Sequence, residues 1–289
     1  MIELSNIILR LALYVDLLLL FGVASFALYS SNAVQRFGRM LRGLSLLGGL
    51  LSVGGLLLMT SAMSGETELA ALWPHLQMML LETDVGMAWT VRLMALIVVL
   101  IRPRRWVASS AGAIALASLA WSGHGAMDEG LLRVWHFLSD IFHLLAAGAW
   151  LGGMLALVLL ARGRVDETRI RLLADAVKRF EWVGAAIVLT LSITGVVNYL
   201  FIVGPRLDDV LPGTYGILLA IKVLLFAGML VLAALNRFHL GPALERSVRD
   251  GQHVVAANAL RRSVLLELGM ALLIVALVAW LGTLSPDAG

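Results

Sequence analysis

The sequence predicts an all-α protein: a polytopic membrane helix bundle of eight transmembrane helices with both termini on the outer side. Three observations carry that prediction. Of the 289 residues, 60% are hydrophobic and only 14% charged, with a mean hydropathy of +0.92, whereas soluble domains average roughly 25% charged residues. Apolar runs recur at lengths near the ~20 residues that a helix needs to cross a bilayer. The connections between them alternate in charge.

The runs fall at 7–30, 43–62, 86–101, 106–122, 135–161, 180–203, 214–236 and 263–283. The opening "MIELSNIILRLALYVDLLLLFGVASFALY" has no basic leader, and Asp16 interrupts it. It reads as a retained first span rather than a signal peptide. The third and fourth runs are short and are joined by "RPRR" at 102–105, a tight turn. No long polar segment is available for a second unit, so residues 1–289 read as one transmembrane domain.

Arg36, Arg39 and Arg42 follow the first run, and Arg102, Arg104 and Arg105 follow the third. Arg162, Arg164, Arg169, Arg171, Lys178 and Arg179 follow the fifth, and Arg237, Arg246, Arg249, Arg261 and Arg262 follow the seventh. The other connections hold Glu66, Glu68, Glu82, Asp84, Asp128, Glu129, Asp208 and Asp209 with few cations. Cytoplasmic loops are enriched in Lys and Arg, so the basic connections are expected inside. The net charge of +3 and pI of about 9.7 are then topology signals, not a nucleic-acid footprint. Trp73, Trp89, Trp106, Trp121 and Trp135 near the run ends suit an interfacial belt.

Composition excludes a soluble enzyme. With no cysteine, disulfides and thiolate metal sites are excluded too, and a soft-metal site must be built from Met and His. Lipid solvates charge badly, so ionisable residues inside spans face the bundle interior and mark function. Asp16, Arg92, Asp140, His143 and Lys222 are such residues. Glu267 also lies inside the eighth run but close to its inner end, where an exposed carboxylate is expected.

The fifth run is the most informative. Counting ~100° per residue from His136, Asp140 lies about 40° to one side and His143 about 20° to the other. Ala147, Trp150 and Met154 continue that stripe over about 27 Å, near the hydrocarbon thickness. His136 falls near the outer surface, with His143 about 10 Å deeper. One reading is a metal site open to the outside, since imidazole suits Cu and Zn and a carboxylate can bind or orient a histidine. The other is structural: Asp140 pairs with Arg92, and the histidines hydrogen-bond between helices. Further candidate ligands on the outer side are His124 and Met127 in "GHGAM", Met63 with Met59 in "LMTSAMSGE", and His75 in "HLQMML". His239 and His253 read as parts of a solvated inner loop.

Gly148 and Gly152 form a GxxxG pair, which lets a neighbouring helix approach closely. The expectation is that it holds the polar face of the fifth span against a partner. Thr190, Ser192, Thr194, Asn198 and Tyr199 on the sixth span suit hydrogen bonds between helices. Lys222 needs an anion, which Asp16 or Asp140 could supply. As a cation it repels a metal, so it reads as architectural or gating, as do Asp16, Arg92 and Trp150.

Several segments resemble the copper resistance protein D family (CopD, PcoD). "SITGVVNYLFIVG" followed by "TYGILLAIKVLLFAGMLVLAALNRFHLGP" resembles its last third. "TDVGMAWTVRL" at 83–93 is similar to its Thr-x-x-Gly-x-x-Trp-x-x-Arg segment, and "GHGAM" with "HLLAAGAWLGGM" to its histidine-bearing region. The opening "LRLALYVDLLLLFGVASFALY" fits as well, and the segments occur in family order over nearly the whole chain. The resemblance implies an eight-helix protein of the bacterial inner membrane that handles copper, as Cu(I) or Cu(II), with the outer side as the periplasm. It also implies a periplasmic copper-binding partner of the copper resistance protein C type and copper passage toward the cytoplasm.

Two main functions compete. A permease would receive copper outside at His124, His136, Asp140 and His143 with nearby Met127 and Met63, and pass it along the stripe toward Met154. No P-loop is present, so movement would be passive or coupled to protons through Asp16, Asp140 or histidines. Such a protein is not an enzyme. The alternative is a b-type haem protein that transfers electrons and reduces Cu(II), with His143 as one axial ligand and His124 as a second. A non-transporting assembly or sensor protein has no specific feature behind it.

Overall fold

The computed structural model describes residues 2–30, 34–122, 130–162, 167–204, 213–250 and 253–284. Among them are ten α-helices: α1 Ile2–Tyr29, α2 Val34–Ser64, α3 Leu69–Glu82, α4 Asp84–Ile101, α5 Arg105–Ala117, α6 Gly130–Ala161, α7 Glu167–Ile202, α8 Thr214–Leu235, α9 Gly241–Asp250 and α10 His253–Leu281. No strand occurs among the described residues. The chain is therefore all-α, as its composition predicts.

Seven helices, α1, α2, α4, α6, α7, α8 (with the turn and helix after it) and α10, are long and apolar enough to cross a membrane. The fourth predicted run is split instead. It forms α5, of 13 residues, followed by a 3₁₀ segment Ser118–Ser122. At 1.5 and 2.0 Å per residue the two together extend about 30 Å.

Two helices form in stretches read from sequence as loop. Along α3, Leu72, Leu76 and Met79 recur at helical spacing and are buried, in a cluster with Leu56 of α2 and Trp89 of α4. The short α9 packs against α7 and α10.

Helix α1 is the centre of the bundle, in contact with α2, α5, α6 and α10. Leu17, Leu20, Val23, Ala24 and Phe26 on it are fully buried. Its tightest contact is with α6. A Cβ on Gly22 would overlap Gly148 O and stand 2.7 Å from Gly152 Cα. Backbones this close gain dispersion and weak Cα–H···O contacts that any side chain would forfeit. The GxxxG pair therefore does hold a partner helix, but not across the polar face: Gly148 and Gly152 point about 120–160° away from His136, toward α1.

Successive crossings run antiparallel, while α1 and α6 run parallel, with Leu18 against Gly148 and Gly22 against Gly152. Asp84 at the start of α4 lies 3.7 Å from Arg133 near the start of α6, so α5 runs back between them. Arg10 near the start of α1 donates to Gly282 O just past α10, at 2.8 Å. At the opposite end Arg179 of α7 donates to Tyr29 O of α1, at 3.1 Å. The outward faces of α7 and α8 expose Leu189, Ile193, Val196, Leu200, Ile221, Leu224 and Val231. Water would penalise such a surface; lipid does not.

Candidate functional site

The segment Thr83–Arg92 is a structural hub, and each of its spaced residues has a physical task. The Thr83 hydroxyl donates to Met79 O at 2.7 Å and accepts from the Gly86 N–H at 3.0 Å. It thus closes α3 and caps α4. A Cβ on Gly86 would overlap Met79 O, so only glycine lets α3 lie against α4. Three residues on, Trp89 is buried, not interfacial as expected, and the Arg92 guanidinium lies 5.5 Å from its ring centroid. Arg92 Nε donates to Ser118 Oγ at 2.8 Å and Nη2 to Ser118 O at 3.4 Å. Ser118 ends α5, where unpaired carbonyls favour a cation. Arg92 therefore caps α5 and is not hydrogen-bonded to Asp140, as the structural reading had it.

The polar face of α6 meets α7. Asn198 Nδ2 donates to Asp140 Oδ1 at 2.7 Å, and Ser139 Oγ to Thr194 O at 3.4 Å. His143 Nδ1 lies 2.8 Å from Thr194 Oγ1. The Thr194 hydroxyl gives its one hydrogen to Thr190 O at 2.6 Å. It therefore accepts from His143 Nδ1–H, which leaves the lone pair of the neutral ring on Nε2. The hydrogen bonding expected of Thr194 and Asn198 is present, and its partner is the α6 face. His136 Nε2 lies 3.9 Å from Asp140 Oδ2, and its ring stacks on Phe201 with centroids 4.8 Å apart.

Asp140, His143, Asn198 and Lys222 line one cavity of about 240 Å³. Arg10, Tyr14, Tyr199, Tyr215 and Gly282 also line it. These sit in, or just past, the halves of α1, α7, α8 and α10 that lie away from the basic connections. Lys222 thus faces Asp140, the second of its two expected anions. Asp16 lies elsewhere. It is 2% exposed, it packs where a Cβ on Gly48 of α2 would overlap its Oδ2, and neither carboxylate oxygen has a hydrogen-bond partner among the described residues.

Not all the predicted ligands converge. His136 is 1% exposed and is absent from the cavity wall. Met63 is 71% exposed at the end of α2 and is also absent from it. His124 and Met127 lie outside the described residues. Among the described residues no group of three or more His, Asp or Glu stands close enough to hold a metal. What α6 presents is a histidine–carboxylate pair and, a turn deeper, one imidazole with a directed lone pair. His143 is the only histidine on the cavity wall among the described residues, so they offer no second axial histidine across it.

Glu267 departs most from expectation. It is 4% exposed; its Oε1 accepts from Trp150 Nε1–H at 2.8 Å and its Oε2 from Asn236 Nδ2 at 2.9 Å. The expectation of an exposed carboxylate treated distance from the span end as decisive, but α9 and the start of α10 extend the helical region beyond it. Trp150 keeps its predicted place on the stripe, buried and edge-on to Phe226.

The chain belongs to the copper resistance protein D family of multi-helix membrane proteins. Residues 1–134 match the family described as Copper resistance protein D-like, N-terminal domain, and residues 174–281 match Copper resistance protein D. It is 45% identical to copper resistance protein D of Pseudomonas syringae pv. tomato over 98% of this chain and 97% of that one. It is 28% identical to the inner membrane protein YebZ of Escherichia coli K12, over 85% of this chain and 88% of YebZ. It is 32% identical to the copper transport protein CutJ of Bacillus subtilis 168, over 78% of this chain and 45% of CutJ. No solved structure matches it.

Proposed function

We propose that this protein carries copper across the bacterial inner membrane from periplasm toward cytoplasm, and that it is a transporter, not an enzyme. The observation behind this is the cavity on the α6 face, lined by Asp140, His143 and Lys222, away from the basic connections. In this reading the chain crosses eight times, α5 with its 3₁₀ extension making the fourth crossing, and both termini are periplasmic. The length of that segment, the antiparallel packing and the four basic connections support it.

Copper is the cargo. A periplasmic donor of the copper resistance protein C type hands it to the outer cavity, where Asp140 supplies charge and His143 a nitrogen ligand. His136 orients Asp140 from behind, and Asn198 holds its other oxygen. Lys222 is the counter-ion of Asp140 while no copper is present and withdraws when copper arrives, so that an empty site is not left as a buried unpaired charge. The family's copper-named relatives support copper as the ion.

The test is copper accumulation in cells, with purified protein assayed in parallel. Expression should raise cellular copper, and Asp140→Asn and His143→Ala should each abolish the increase. Lower copper on expression, or wild-type uptake by both variants, overturns the reading. A reducible Soret band with stoichiometric haem in the purified protein replaces it with the electron-transfer alternative.

A further inference from the structure

The stripe on α6 continues past the outer cavity. Two turns beyond His143, Trp150 and then Met154 line a second cavity of about 380 Å³ between α6, α7, α8 and α10. It takes the C-terminal parts of α6 and α8 and the N-terminal parts of α7 and α10, which are the ends joined by the basic connections. The two cavities therefore lie on one helix face but toward opposite ends of the bundle. Between them the bundle closes over buried Leu191 and Met229 and over Trp150 against Phe226, ring centroids 6.0 Å apart. On α10 the nearest lining residues of the two cavities, Glu267 and Ile274, are about 10 Å apart along the axis.

Glu267 is the polar centre of the inner cavity. Each of its oxygens accepts one N–H, from Trp150 and from Asn236, and a carboxylate has about four acceptor positions. Two neutral donors do not cancel a charge, so a carboxylate buried inside a bundle takes up either a proton or a cation. Asn236 begins a π-helical turn, Asn236–Leu240, a distortion frequent at functional sites. Its own Oδ1 is buried without a hydrogen-bond partner among the described residues. Met154, fully buried, adds a thioether to the same wall. Glu181 and Arg237 are the other charged groups there. Arg237 is spread over the Trp182 and Phe238 rings, at 5.4 and 5.6 Å.

We infer that Glu267, with Asn236 and Met154, forms a second cation site, from which transported copper leaves toward the basic connections. Trp150 joins the two sites: its ring is part of the septum, and its indole N–H holds Glu267. This inference rests on copper passage along α6, and it adds an exit to the receiving site.

Glu267→Gln is a clean probe. Gln Oε1 still accepts from Trp150, and Asn236 can turn its amide so that its unpartnered Oδ1 accepts from the new Nε2. The hydrogen bonds persist and the charge goes. The experiment uses Cu(I), buffered by a colorimetric chelator, on the full-length protein in nanodiscs with the outer cavity disabled by Asp140→Asn and His143→Ala. One residual Cu(I) equivalent is expected. Adding Glu267→Gln should weaken it at least about ten-fold, the scale of losing one metal-site group, while Glu267→Asp should retain it. No residual copper, or residual copper indifferent to Glu267→Gln, overturns the inference. So does equal loss in Gln and Asp variants with a lowered melting temperature, which makes Glu267 a structural latch only. Uptake of Cu(I) into liposomes by the wild-type protein is measured alongside. If that uptake is absent while residual binding depends on Glu267, the transport reading fails and the inner site stands.

Discussion

His143 on α6 and Thr194 on α7 share a hydrogen bond of 2.8 Å whose direction is set by a third group, the carbonyl of Thr190. With the threonine hydrogen on Thr190 O, the imidazole donates from Nδ1 and Nε2 is its lone-pair nitrogen. Replacing Thr194 by Val conserves volume and removes that constraint. Copper affinity at the outer cavity should fall about ten-fold, as for other groups that orient a metal-binding histidine. Competition against a chelator of known affinity measures it; an unchanged affinity would remove His143 from the site.

The crossing of α1 and α6 makes a sharp steric prediction. Gly22→Ala or Gly152→Ala forces a methyl into the facing backbone and should destabilise by about 1–3 kcal/mol or more. Gly54→Ala, with nothing within 4 Å of the added carbon, should be neutral or gain up to ~1 kcal/mol from helix propensity. Thermal unfolding in detergent compares the three.

Arg92→Lys keeps a positive charge but cannot reach both Ser118 Oγ and Ser118 O while lying over Trp89. A loss of roughly 2 kcal/mol is expected, the upper range for a partly buried cation at a helix C-terminus. Stability close to wild type would show that charge alone suffices there.

The absence of cysteine makes orientation testable without background. Ser64→Cys, at the end of α2, should react with a membrane-impermeant thiol reagent in intact cells. Arg102→Cys, at the end of α4, should react only after the inner membrane is opened. The reverse pattern inverts the bundle.

Much of this bundle is legible in its sequence because lipid imposes a simple rule: long apolar runs must become helices. The rule fails where tertiary contacts decide. It misses α3, whose apolar spacing is good but whose length is short, and it treats 106–122 as one helix where a 3₁₀ turn begins at Ser118, the residue that Arg92 holds. The polar face of α6 follows from periodicity alone, since His136, Asp140 and His143 occur at helical spacing. Which residues reach the cavity does not, because the rotation of α6 against α7 turns His136 on to Phe201 and His143 on to Thr194. Glu267 illustrates the same limit. Its place on α10 is readable, but its two donors come from residues 117 and 31 positions away.

The contact of Gly22 with Gly148 also has a consequence for how the chain is made. The two residues are 126 positions apart in the sequence, an interval of roughly 6–25 s at ordinary synthesis rates. During that time α1 has no α6 to cover its glycine notch, and α10, which Arg10 will tie down, is further still from emerging. The helix at the centre of the bundle can thus pack on α2 and α5 early but must wait for α6 and α10, so it enters the membrane with an unfinished surface that only the later helices close.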